Sequence, residues 1–237
     1  MAFVRVSSWL RSAADVVLPR RCSACGTALT GDERYLCRRC LMELPRTRFE
    51  AIDFNAFEQR FAGQVPVERA VSYFYYERHS PYAAILHDIK YHGMPQLGVW
   101  MGERAAAAMA PSGCFDGVDL LVPVPLHFTK LADRGYNQSE RIATGVARKL
   151  GVPVVDALKA LHATSTQTHK TAQQRFAGKE GLFAVKSKHT ATLAGKHILL
   201  VDDVVTTGAT LMACARAIKA VPGTTLSLFT LAAAHLD

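Results

Sequence analysis

The chain has 237 residues, of which 49% are hydrophobic and 20% charged. That is too apolar for a disordered chain, and enough for one full core with a small appendage. No apolar run approaches the ~18 residues of a membrane-spanning helix, and no apolar stretch ends in a small-residue cleavage site. A cytoplasmic protein is therefore expected.

The net charge of +8 is unevenly spread. Residues 1–48 hold nine Arg and no Lys against four acids, and residues 159–188 hold six basic residues against Glu180 alone. Two basic regions on a near-neutral body attract phosphates, whether of nucleic acid, a small ligand or a membrane surface. A solvated basic face is the alternative for each.

In chain order, residues 1–19 begin with an amphipathic helix that places Trp9, Leu10, Ala13, Ala14 and Val17 near one face. It either packs on the rest of the protein or lies on a membrane surface with Arg5 and Arg11, a peripheral contact.

Residues 20–48 hold four of the six cysteines, in two Cys-x-x-Cys pairs: Cys22 with Cys25, and Cys37 with Cys40. Eleven residues separate the pairs, with Gly26, Gly31 and Asp32 available for the turn. Each pair offers two thiolates from one tight knuckle, so the four residues are the expected ligands of one structural, tetrahedral zinc. Four buried free thiols are the alternative. Arg20, Arg21, Arg38 and Arg39 flank the ligands and either screen thiolate charge or present a nucleic-acid surface.

Residues 49–66 read as a linker, and 67–237 as a second domain in which strands and helices alternate. Residues 67–76 are β-branched and aromatic, hence a strand. Tyr73, Phe74, Tyr75 and Tyr76 serve either as core or as base-stacking surfaces. Helices are expected over 81–91 and 96–109, and an apolar strand buried on both faces over 118–124. A helix over 138–150 ends at Gly151, followed by a short strand over 152–155 and a long loop with a short helix over 159–181. A strand over 197–201, a helix over 209–220 and a strand over 224–231 complete the chain. This alternation predicts an α/β fold with a parallel sheet flanked by helices.

The segment 198–210, Ile-Leu-Leu-Val-Asp-Asp-Val-Val-Thr-Thr-Gly-Ala-Thr, carries the strongest signal. Its apolar run is a central strand, and Asp202 and Asp203 follow at the carboxyl end, where open α/β sheets bind ligands. Gly208 allows a close backbone approach, and the next helix aims its first N–H groups at an anion. Thr206, Thr207 and Thr210 add hydroxyls. Two carboxylates there suit the 2′- and 3′-hydroxyls of a ribose, with a phosphate held by the loop.

A second element is Leu-Val-Pro-Val-Pro-Leu-His at 121–127, then Arg134-Gly-Tyr-Asn137-Gln138. Arg134 suits a pyrophosphate, and Asn137 and Gln138 add amide donors near a helix start. An ordinary loop and helix cap is the alternative. Lys90, in Ile-Lys-Tyr-His-Gly at 89–93, is either a cation near the ligand or a solvated lysine at a helix end.

Segment 198–210 resembles the phosphoribosyl pyrophosphate (PRPP) motif of type I phosphoribosyltransferases. The resemblance implies that Asp202 and Asp203, the catalytic pair, contact ribose hydroxyls. It implies that Val204 and Val205 belong to the PRPP-binding segment and that Thr206, Thr207, Gly208, Ala209 and Thr210 hold the 5′-phosphate, with Mg²⁺ accompanying the pyrophosphate. Taken with the cysteine pairs, Lys-Tyr-x-Gly, Pro-Val-Pro-Leu and Arg-Gly-Tyr-Asn-Gln, the chain resembles the ComF family of competence-associated, zinc-ribbon proteins with a phosphoribosyltransferase-like fold. That implies handling of incoming single-stranded DNA, and possible contact with other competence proteins. The resemblance departs within the 159–181 loop. Thr164, Gln167 and Arg175 match the family, but His162 stands where Arg is expected and Gly178 where Asn is expected. His162, His169 and Lys170 are alternative cations there.

Two functions follow. One is a protein that binds PRPP and serves single-stranded DNA. The other is a transferase that moves ribose 5-phosphate from PRPP to a nucleobase or other amine.

Overall fold

A computed structural model describes residues 19–161 and 182–235 of the chain. The amphipathic helix expected within 1–19 falls almost wholly outside them. So do His162, Thr164, Gln167, His169, Lys170, Arg175 and Gly178.

Four parallel strands form the main sheet, in the spatial order β1, β6, β5, β2. They are β1 (Ala70–Tyr75), β2 (Leu120–Pro123), β5 (His197–Val205) and β6 (Thr225–Ala233). The two central strands read as apolar runs because both their faces are covered: Ile198, Leu199, Leu200 and Val201 on β5 and Leu228, Phe229 and Leu231 on β6 are fully buried. On β1, Tyr73 and Phe74 are buried and belong to the core, whereas Tyr75 and Tyr76 are half-buried. A separate antiparallel pair, β3 (Leu158–Ala160) and β4 (Phe183–Val185), stands beside the main sheet.

The helices of the described residues are α1 (Arg38–Met42), α2 (Ala56–Gln59), α3 (Ala83–Tyr91), α4 (Pro95–Met109), α5 (Phe128–Arg134), α6 (Gln138–Leu150), α7 (Thr190–Leu193) and α8 (Ala209–Lys219). Helices α4 and α6 cross at two glycines. A Cβ on Gly145 would come within 2.0 Å of the Val99 carbonyl, and one on Gly102 within 2.3 Å of the Ile142 carbonyl. This backbone-to-backbone approach seats α6 against β5, with its first turn beside the end of that strand.

Three segments differ from the sequence expectations. Residues 49–66, read as a linker, hold a 3-10 turn at Phe49–Ala51 and helix α2. Phe57 and Phe61 there are fully buried, edge to face with ring centroids 5.8 Å apart. Asn55 caps α2 through a capping box, a start signal that a composition-based reading overlooks. Residues 152–155 form no strand but a single parallel bridge between Leu121 and Val154. Pro153, lacking an N–H, prevents a longer ladder. Finally, residues 128–134, to which the sequence pattern assigns no element, form α5.

Strand β5 also runs further than the expected 197–201. Its register continues along β6 through Asp202–Thr230 to Val205–Ala233, while its pairing with β2 ends at Pro123–Val201. Both aspartates therefore lie inside the strand, on the stretch that β2 has already left.

Candidate phosphate site and cysteine centre

The parting of β2 from β5 opens a cleft of about 470 Å³ at the carboxyl ends of the strands. Lys90 from α3, Arg134 from α5, Gln138 from α6, and Asp202, Asp203 and Val204 from β5 all line it, together with Thr210 in the first turn of α8. Elements far apart in sequence thus bring two lysines, Lys90 and Lys130, one arginine and two carboxylates to one cleft.

Asp202 is buried, and its Oδ1 accepts hydrogen bonds from Ser139 Oγ at 2.8 Å and from the Asp203 amide at 2.9 Å. Burial, and then the charge of Asp203, push its pKa up to about 7 against the opposing pull of Ser139 and Lys90. Asp203 Oδ2 pairs with Lys90 Nζ at 2.8 Å and has no other partner among the described residues. A buried carboxylate oxygen so placed has spare capacity for a hydroxyl donor.

Arg134 donates to Gln138 Oε1 at 2.6 Å, and its guanidinium lies 4.9 Å from the Tyr91 ring centroid. The Tyr136 hydroxyl donates to the Ile89 carbonyl, fastening this segment to the helix that carries Lys90. The cleft's other walls include Leu161, Leu182 and Phe183, around the β3–β4 pair.

The remaining expected residues divide. Gly208, with φ of 76°, occupies the left-handed region immediately before α8 and turns the chain from strand to helix. Thr207 Oγ1 accepts from the Ala209 amide at 3.4 Å, and Val205 is buried. Thr206 lines an adjoining groove, beyond Lys90, and not the cleft. Asn137 caps α6, and its amide nitrogen donates to the Val124 carbonyl at 2.9 Å. Its polar atoms thus hold the loop to the start of α6.

Sequence reasoning missed Ser139, which is masked as one more helix residue, and Lys130, which lines the cleft one turn before Arg134. Recognising 128–134 as helical would have exposed the i, i+4 spacing of Lys130 and Arg134.

At the other end of the described chain, Cys22, Cys25, Cys37 and Cys40 place their sulfurs within 4.8 Å of one another, and none is in a disulfide. The Cys37 amide points at Cys22 Sγ at 3.3 Å and the Cys40 amide at Cys37 Sγ at 3.5 Å. Thr27 hydrogen-bonds Cys25 and lowers its pKa to about 6. Convergent thiols, served by N–H donors and without a disulfide, fit a zinc ribbon. Arg38 pairs with Asp32 at 2.7 Å and Arg39 with Glu43 at 3.1 Å, while Arg21 donates to the Gly26 carbonyl at 3.0 Å. These arginines brace the module itself. Tyr35 joins it to α4, meeting Trp100 edge to face at 5.5 Å.

The phosphoribosyl transferase domain model matches residues 137–235 of the chain. DNA utilization protein YhgH of Salmonella typhi is 26% identical over 200 residues, covering 80% of this chain and 73% of its own length. Competence protein F of Haemophilus influenzae is 33% identical over 95 residues, 39% of this chain and 41% of its own. These matches support a ComF-family protein. The YhgH protein of Escherichia coli K12 is a further relative, 26% identical over 193 residues and covering 80% and 79% of the two chains. Among solved structures, glutamine PRPP amidotransferase from B. subtilis, complexed with ADP and GMP, has 17% identity and a TM-score of 0.40. It covers 58% of this chain, which in turn spans about a quarter (26%) of that larger one. No helix among the described residues is long and apolar enough to cross a membrane.

Proposed function

We propose that this ComF-family protein binds PRPP, with Mg²⁺, in the cleft between β2 and β5 and serves the handling of incoming single-stranded DNA. The observation that carries the binding is the pair Asp202–Asp203 on the unpaired flank of β5, two residues before the turn into α8. Asp203 and Asp202 accept the ribose hydroxyls. The amides at the start of α8, with Thr207 and Thr210, hold the 5′-phosphate. Arg134 and Lys90 face the pyrophosphate. Mg²⁺ would accompany the pyrophosphate through ligand oxygens and retained water, as its hydration favours. The four cysteines hold a structural Zn²⁺, and the domain limits are 20–48 for the ribbon and 67–237 for the phosphoribosyltransferase-like part, with 49–66 packed between them. The DNA role draws on the names of the relatives and on the basic 1–48 and 159–188 regions, whose binding to single strands would fall steeply with salt.

Leu161, Leu182 and Phe183 favour a second reading. They give the cleft an apolar wall on which a flat acceptor base can lie. In that reading an acceptor nitrogen attacks ribose C1 as the C1–O bond to pyrophosphate breaks. Pyrophosphate leaves with the electron pair, and the nitrogen gives its proton to solvent. Stabilisation of the leaving group by Arg134 and Lys90 would carry most of the catalysis.

Phosphorus NMR of Mg–PRPP with zinc-loaded protein separates the two. Broadened PRPP lines without turnover, with or without single-stranded DNA, support the binding protein. Release of pyrophosphate that depends on a nucleobase supports the transferase. Sharp, unchanged lines contradict both.

A further inference from the structure

On the far side of Lys90 from the cleft lies a second groove of about 710 Å³. Arg78, His79, His87, Asp88, His92 and Thr206 line it. Three of these converge where α3 ends. His92 is the C-cap residue, with φ of −100°, and its amide donates to the Asp88 carbonyl. The His87 and His92 ring centroids lie 4.8 Å apart, and His92 Nδ1 is 2.8 Å from Asp88 Oδ1. One ligand atom from each of His87, Asp88 and His92 falls within 4.8 Å of the other two.

We propose that His87, Asp88 and His92 form a second metal site, for a borderline divalent cation of the zinc, cobalt or nickel class. Two imidazoles and one carboxylate suit such ions, whereas Mg²⁺ and Ca²⁺ prefer all-oxygen shells. The ion takes the place of the proton between Asp88 and His92, and His87 closes the set. Three protein ligands leave coordination positions open to the groove. Arg78 lines the same groove, so an anionic oxygen, such as that of a phosphate, is the fitting external ligand. The proposal uses none of the cleft carboxylates and stands apart from the PRPP reading.

Cobalt titration of the full metal-free chain, in glycine buffer as a weak competitor, tests it. Two Co²⁺ per chain are expected. One gives sulfur-to-metal charge transfer from the cysteine centre, and the other gives only the weaker bands of a nitrogen–oxygen site. The His87→Ala, His92→Ala variant should lose the second equivalent entirely and keep both the charge-transfer band and the wild-type melting profile. A single Co²⁺ per wild-type chain would overturn the proposal. A second equivalent retained by the variant would do so equally.

Discussion

Lys90 Nζ lies 2.8 Å from Asp203 Oδ2, an ion pair that ties the last turn of α3 to the open flank of β5. Both side chains are largely shielded from solvent, at 20% and 6% exposure, so neither can easily be left without its partner. Replacing Lys90 by Met strands a buried charge, and a loss of about 3 kcal/mol in unfolding free energy is expected. Adding Asp203→Asn to that variant should restore most of it. Denaturant melts of the two variants check this, and equal losses in both would refute the pairing.

Asp202 gives the protein a pH signature. Its folded-state pKa is raised from 3.8 to about 7, first by burial and then by Asp203. The folded protein therefore keeps a proton that the unfolded chain releases between those values. The stability this contributes is fully present below pH 3.8 and is lost as pH rises to about 7. Asp202→Asn keeps an oxygen for Ser139 without the charge. It should gain on wild type as pH rises through that window, by up to a few kcal/mol. Thermal melts across the window measure the difference, and parallel curves would contradict it.

The glycine crossing of α4 and α6 sets where Ser139 meets Asp202. Gly145→Ala places a methyl 2.0 Å from the Val99 carbonyl, so the two helix backbones must separate. A cost of about 1–3 kcal/mol or more is expected, since overpacked cores relax only partly. The same shift carries Ser139 away from β5 and should weaken ligand binding at the cleft. An alanine variant as stable as wild type would show that the helices have room to spare.

How much of this was legible beforehand varied with the physics of each segment. The central strands declared themselves, because burial on both faces writes a continuous apolar run such as Ile198–Val201. Asp202 and Asp203 stood out because acids seldom follow such a run. Their place within the strand did not, because it depends on β2 stopping at Pro123 while β6 continues, and single-strand patterns hold no register. Residues 49–66 looked like a linker since their helix is four residues long, too short to show a period. The buried Phe57 and Phe61 were the available clue. For Asn137 the sequence leaves a ligand donor and a cap open, and only the fold shows its Oδ1 accepting from the Ser139 amide at 3.0 Å. Gly102 and Gly145 gave no signal, because a helix glycine is explained by its neighbour's backbone and not by its own sequence.

Metal removal should be felt at the ribbon's junction with α4. Tyr35 is part of the cysteine segment and packs on Trp100, so chelation of the zinc should loosen that contact and red-shift Trp100 emission. A Trp9→Phe background isolates the signal. Because the ligands must be thiolates, chelator sensitivity should increase as pH falls. Unchanged emission on full metal removal would mean that the segment holds its shape without the ion.

The central claim is tested most directly by calorimetric titration of Mg–PRPP into the zinc-loaded wild type and into the Asp202→Asn, Asp203→Asn variant. Saturable binding to one site per chain, lost or weakened at least tenfold in the variant, is the predicted result. Equal binding by both proteins, or none by the wild type, would contradict a PRPP site at the end of β5.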